Sequence, residues 1–181
     1  MRFVYLTSPP FSGSTLFSFL ANTHPAIATI GEMVGVVKSK DPETYKCSCG
    51  EKIRECRFWI QVAARMASGQ FSFDPASFDT RIQLGNSPFA QRILNASMPN
   101  IVLEDLRDRM LKLWPRQSQR LAYLVSRNKA LAASVLQVSG KTVFFDASKN
   151  STFIRHLSRE PDIDLRVVHL VRDVRGTSLS R

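Results

Sequence analysis

Apolar positions come in short blocks separated by polar, Gly- and Pro-bearing stretches, and their period changes along the chain. Phe3 to Leu6 is a continuous apolar run cut by Ser8-Pro9-Pro10, which predicts a buried strand followed by a loop. Ser12-Gly13-Ser14-Thr15 then opens a helix with an apolar face of Leu16, Phe17, Phe19 and Leu20, stopped by Asn22 to Pro25. Ile27 to Ile30 predicts a second strand, with Gly31-Glu32 at its C-terminal edge. Lys38 to Arg57 is polar and reads as an irregular excursion; Phe58 to Ala67 reads as a helix, and 68–100 shows no clear period. Leu121, Leu124, Val125, Leu131, Ala132, Val135 and Leu136 recur at helical spacing, and Gly140 is a natural stop. Thr142 to Asp146 predicts a strand and Phe153 to Ser158 a short helix. Arg166 to Val171 is nearly all apolar, as in a strand covered on both faces, which makes His169 a core histidine. Strands alternating with helices predict one α/β domain over residues 1–181 with a parallel sheet.

Composition narrows the class of protein more than its function. At 181 residues and 44% hydrophobic, the chain can bury a core and is no disordered polymer. A net charge of +10 favours acidic partners such as phosphates, sulfates, nucleic acid or an anionic surface. No nucleic-acid reader motif appears, and few aromatics interleave with the basic residues. The N-terminal apolar run is too short for a signal peptide, and no stretch is long enough to span a membrane. An odd number of cysteines (Cys47, Cys49 and Cys56) argues against a disulfide scaffold. The expectation is a reduced, cytoplasmic protein.

The sharpest local feature is Ser8-Pro9-Pro10-Phe11-Ser12-Gly13-Ser14-Thr15. A Gly-bearing turn between strand and helix lets backbone N–H groups converge on an anion, and Ser and Thr hydroxyls add donors without bulk. The same residues also make an ordinary Ser/Thr cap. The ATPase pattern is absent, because no lysine follows Gly13, and no Mg²⁺-binding acidic strand is evident, which disfavours a P-loop kinase.

Four segments together resemble one family. Ser12-Gly13-Ser14-Thr15-Leu16 resembles the 5′-phosphosulfate loop of the sulfotransferases. Leu170 to Gly176 with Ser180 resembles that family's 3′-phosphate motif, in which a Ser follows the Arg, here Arg172, by eight residues. Phe145-Asp146-Ala147-Ser148-Lys149 is similar to a strand end of bacterial members, and Cys47-Ser48-Cys49-Gly50 through Glu55 to Trp59 is similar to a segment in many of them. The resemblance implies an α/β, P-loop NTPase-like three-layer fold with a parallel sheet, incomplete at the C-terminus because Arg181 falls inside the 3′-phosphate motif. It also implies that 3′-phosphoadenosine 5′-phosphosulfate (PAPS) donates a sulfuryl group in line to an acceptor hydroxyl or amine, on a small molecule or glycan, with no metal. Ser12, Gly13, Ser14 and Thr15 would then cradle the 5′ end, and Arg172 and Ser180 the 3′-phosphate.

Glu32 matches the place where several branches keep a base that deprotonates the acceptor, and equally suits a solvated or capping glutamate. Phe11 departs from the family, which places Arg or Lys there to meet the transferred group. Lys149 is the substitute cation that chain position suggests, or else an exposed loop lysine; failing a substitute, the chain is a non-catalytic, anion-binding remnant. His24 reads as a helix-end residue and Arg175 as a surface arginine. The cysteines read as structural thiols, with zinc or redox chemistry as the alternative, since three thiolates lack a fourth ligand.

Overall fold

Hydrophobic alternation along Arg2–Thr7 makes β1, whose Phe3 and Tyr5 face one side and Leu6 the other. The computed structural model describes residues 1–32, 43–84, 87–96, 98, 100–149 and 151–173. Within them α1 (Ser14–Asn22) and β2 (Ile27–Thr29) follow β1. Four helices come next: α2 (Arg57–Ser68), α3 (Pro88–Asn95), α4 (Ile101–Lys112) and α5 (Pro115–Ser139). The chain then forms β3 (Val143–Asp146), α6 (Ser151–Leu157) and β4 (Asp164–His169).

The strands make one four-stranded, all-parallel sheet in the order β2-β3-β1-β4. Phe3 lies opposite Phe144 and Tyr5 opposite Asp146, and Thr7 pairs with His169 on the other flank. Phe3, Tyr5, Ala28 and Phe144 bury against α2, α5 and α6 through Val62, Met66, Leu131, Val135, Phe153 and Leu157. On the opposite face Leu6, Phe145 and Ala147 meet Ala21 of α1. Thus α1 covers one face, and the other helices build a thicker layer on the other.

Gly140 ends α5 in the left-handed conformation that the sequence predicts, at φ 67°. Two elements fall where the sequence showed no pattern. Ser87 caps α3 by accepting from the Ala90 N–H, with Pro88 next, and Asn100 caps α4 by accepting from the Val102 N–H.

Three expectations need correction. Among the described residues β4 is an edge strand rather than a covered one, with Val167 54% and Val168 36% exposed. An apolar run reads alike in either place, since β-propensity reports fit to a pleat and not position in the sheet. His169 is accordingly exposed and not a core histidine. On α1 the buried residues are Ser14 and Ser18, while Leu16, Phe19 and Leu20 point outward at 60–65% exposure. Only Phe17 turns its ring towards the sheet, 5.8 Å from that of Phe145. Small residues let α1 lie close to the sheet, and Ser18 Oγ satisfies itself on the Ser14 carbonyl at 2.8 Å. Among the described residues, no helix is long and apolar enough to cross a membrane.

Candidate functional site

Parallel strands bring all their C-terminal ends to one edge, so four loops far apart in sequence meet there. The loop after β1 is central. Phe11 and Gly13 both take positive φ, 61° and 86°, and Gly13 is the N-cap of α1. Glycine adopts this conformation without strain, whereas for Phe11 it is an uncommon one that the loop must impose. The result is a turn that places the N-terminus of α1, whose first N–H groups have no intrahelical acceptor and no side-chain cap, directly after this strand end.

Two serines here are unusual. Ser12 is only 7% exposed, yet among the described residues its hydroxyl has no hydrogen-bond partner, and neither does the buried hydroxyl of Ser8. Elsewhere, side chains with an unpaired buried atom are held through another: Arg107 donates to the Ala96 carbonyl, Arg155 to the Leu94 carbonyl at 2.8 Å, and Asn128 to the Thr80 carbonyl. A serine has one oxygen and no second chance. A buried hydroxyl left without a partner costs about 1–3 kcal/mol, so each of these two is available to a group from outside the protein. Ser8 opens the loop that the sequence singles out but receives no role there, because the resemblance begins at Ser12. Its position directly after β1 and before Pro9-Pro10 was the available signal.

The other strand ends supply charge. After β2, Gly31 turns at φ 75° and its carbonyl accepts from the Ala147 N–H at 3.3 Å, tying this loop to the one after β3. That tie brings the two candidate catalytic residues together: Lys149 Nζ lies 3.2 Å from Glu32 Oε1. Lys149 itself has φ 55°, and Asp146, wholly buried at the end of β3, orders the turn by accepting from the Ser148 N–H at 2.9 Å and hydroxyl at 2.5 Å. Arg172, beyond β4, donates from Nη1 to the Phe11 carbonyl at 3.2 Å. The guanidinium thus stands at the β1 loop itself, beside the position where Phe11 carries no charge. Ser180 and Arg175 lie outside the described residues. His24 stays at the end of α1, where Nδ1 accepts from the Ala26 N–H at 3.2 Å.

A cleft of about 780 Å³ opens alongside. Ser14, Thr15 and Glu32 line it, together with Tyr45, Trp59 and the three cysteines; Ser12, Gly13, Lys149 and Arg172 do not. The cysteines, distributed between a hairpin and the N-cap of α2, converge with all three sulfurs within 4.8 Å of one another. Burial pushes the Cys56 thiol up, against the opposing pull of the Trp59 N–H. The Cys47 thiol is lowered: burial acts upward, and the hydrogen-bonding groups of Cys49, Cys56 and Ser48 outweigh it.

The arrangement can bind an anion at the end of β1 through N–H groups, two hydroxyls and one guanidinium. It can also present the Glu32 carboxylate, paired with Lys149 behind it, to the adjoining cleft. No family model, curated protein or solved structure shows a significant match to this chain.

Proposed function

We propose that the chain is a PAPS-dependent sulfotransferase of P-loop-like, three-layer fold that uses the loop after β1 as its 5′-phosphosulfate site. The observation that carries this reading is the pair of buried hydroxyls on Ser8 and Ser12 that have no partner among the described residues, in a loop between a central strand and a helix N-terminus. Support also comes from topology. The crossover from β1 runs over one face through α1 and that from β3 over the other through α6, and ligands of open α/β sheets enter where crossovers part in this way.

In this reading the Ser12 hydroxyl and the N–H groups of Gly13, Ser14 and Thr15 hold the phosphosulfate, and Arg172 adds a charge-assisted contact beside Phe11. An acceptor hydroxyl or amine enters the cleft. The Glu32 carboxylate takes its proton, the acceptor atom forms the new bond to sulfur, and the bond from sulfur to the 5′-phosphate oxygen breaks. Adenosine 3′,5′-bisphosphate leaves with the electron pair on that oxygen. Lys149, 3.2 Å from Glu32, is the cation for the developing charge. Ser180 belongs to the 3′-phosphate site on the strength of the motif alone.

Calorimetric titration tests this reading: adenosine 3′,5′-bisphosphate binds, while ATP and a random oligonucleotide bind at least about tenfold more weakly. Equal or tighter ATP binding favours a kinase instead. With PAPS and a panel of phenol, glycan and amine acceptors, Lys149→Met lowers the turnover rate far more than PAPS affinity, and Phe11→Arg partly restores it. Phe11, 52% exposed and apolar at the loop, favours one second reading, an anion-binding remnant. Nucleotide binding without transfer to any acceptor, with transfer gained in Phe11→Arg, establishes that alternative.

A further inference from the structure

The chain has three cysteines, and the fold gathers all of them at one point on the cleft wall. Cys47 opens the turn of a small hairpin and Cys49 lies within it. Its strands meet at the Lys46–Lys52 bridge, with the Ile53 N–H donating to the Tyr45 carbonyl at 2.9 Å and the Cys47 N–H to the Glu51 carbonyl at 2.8 Å. Gly50, at φ 91°, closes the turn by donating to the Cys47 carbonyl at 2.9 Å. The chain then turns back on the Lys52 carbonyl, which accepts from both the Glu55 and Cys56 N–H groups at 3.0 Å, and delivers Cys56 as the N-cap of α2.

We propose that Cys47, Cys49 and Cys56 form a three-thiolate site for a thiophilic divalent cation of the zinc class, with its fourth coordination position open to the cleft. Tetrahedral zinc with Zn–S bonds of roughly 2.3 Å sets its sulfurs roughly 3.8 Å apart. Cys49 and Cys56 stand at 3.6 Å, and the third sulfur falls within 4.8 Å of both, a difference that small side-chain rotations close. No other His, Cys, Asp or Glu among the described residues joins the group, which among them leaves the fourth position to water or an incoming ligand. Packing is a poor explanation of the same convergence. Cys49 is exposed and Cys47 half-buried, and from 43 to 56 only Ile53 and Cys56 enter the core. A hairpin with so little buried surface gains its rigidity from a staple, and a bound metal is one.

Binding replaces up to three S–H protons with three metal–sulfur bonds and involves no redox change. The test is titration of the reduced, metal-free chain with Co²⁺ under anaerobic conditions. One equivalent produces thiolate-to-cobalt charge-transfer absorption with the intense visible bands of tetrahedral geometry, and Zn²⁺ abolishes both. Free imidazole shifts the visible bands by taking the open position. Cys49→Ser, at an exposed position that leaves folding intact, weakens binding at least about tenfold, as does Cys47→Ser. Zinc also protects all three thiols from alkylation in the unmutated chain. Absence of the charge-transfer band at one equivalent overturns the proposal, as does full binding in Cys49→Ser. Recovery of Cys49 and Cys56 as a disulfide that zinc does not prevent overturns it in favour of a redox pair. Bands unmoved by imidazole overturn the open fourth position.

Discussion

In the helical layer, Asn128 is fully buried in the middle of α5, and its Nδ2 donates to the Thr80 carbonyl at 2.7 Å; at the sheet edge, Ser12 is almost as deeply buried, and its hydroxyl has no partner among the described residues. The contrast extends to the neighbours of each. In the helical layer Arg107 donates to Asp108 at 2.9 Å, and Arg159 pairs with Asp108 and with Asp105 at 3.0 Å, so charge is compensated close to where it is buried. Around Ser12 the backbone is held at positive φ at Phe11, Gly13 and Lys149. In the helical layer each buried side chain with an unpaired polar atom is still held by a protein partner through another atom; at the sheet edge two buried hydroxyls have none among the described residues, on backbone held at positive φ, which is where ligand chemistry is expected.

Substitutions break the comparison in order of size. Phe144→Ala, on the buried side of β3, removes a ring that packs 5.1 Å from that of Phe3 and lowers stability by about 3–5 kcal/mol in denaturant unfolding. A loss below about 1 kcal/mol contradicts the view of this layer as the stabilising one.

The pH dependence of stability comes next. Burial first, then the Arg155 and Arg107 charges, lowers the His156 imidazole to about 4 from its ordinary 6.5, against a smaller upward pull from Glu160. Nε2 lies 3.3 Å from Arg155 Nη2, which suits a neutral ring that accepts. Between these values the unfolded chain binds the extra proton and the folded chain does not. The stabilisation is fully present above about pH 6.5 and is lost as pH falls towards 4, by at most about 3 kcal/mol. His156→Phe shows a flatter profile across that window in parallel unfolding curves. An unchanged slope removes His156 as the cause.

Ser12→Ala has the smallest effect on folding and sharpens the contrast most. Deleting an unpartnered hydroxyl leaves the unfolding free energy within about 0.5 kcal/mol or raises it, while affinity for adenosine 3′,5′-bisphosphate drops roughly tenfold. Asn128→Leu reverses the pattern, with stability lost and affinity kept. If Ser12→Ala destabilises like Asn128→Leu, its hydroxyl serves the fold and not a ligand.

How far the sequence revealed this division depends on what each signal measures. β1, β3 and α5 were legible because their apolar residues face the core at the period of their structure. The helix α4 was not, since Ile101, Val102, Leu103, Leu106 and Met110 lie outward and leave no buried stripe to read. Its cap Asn100, with Glu104 in the first turn, was the readable signal. In α1 the apolar residues misled for the complementary reason: close approach to the sheet selects serine, and the larger side chains go outside. Loop residues Ser12 to Thr15 were legible from chemistry and spacing. The meeting of Glu32 with Lys149 and of Arg172 with the Phe11 carbonyl depends on the order of strands in the sheet, and that of the three thiols on the turns of one small hairpin; spacing along the chain encodes neither.

The proposed nucleotide-phosphate site is the loop after β1, with Arg172 beside it. The measurement that bears on it most directly is calorimetry of adenosine 3′,5′-bisphosphate with the unmutated chain and with Arg172→Ala, alongside thermal unfolding of both. Arg172 is exposed, so the substitution leaves the unfolding midpoint where it is, and loss of a charge-assisted contact weakens binding by about 10- to 100-fold. Unchanged affinity in a folded Arg172→Ala chain, or no binding by the unmutated chain, contradicts it.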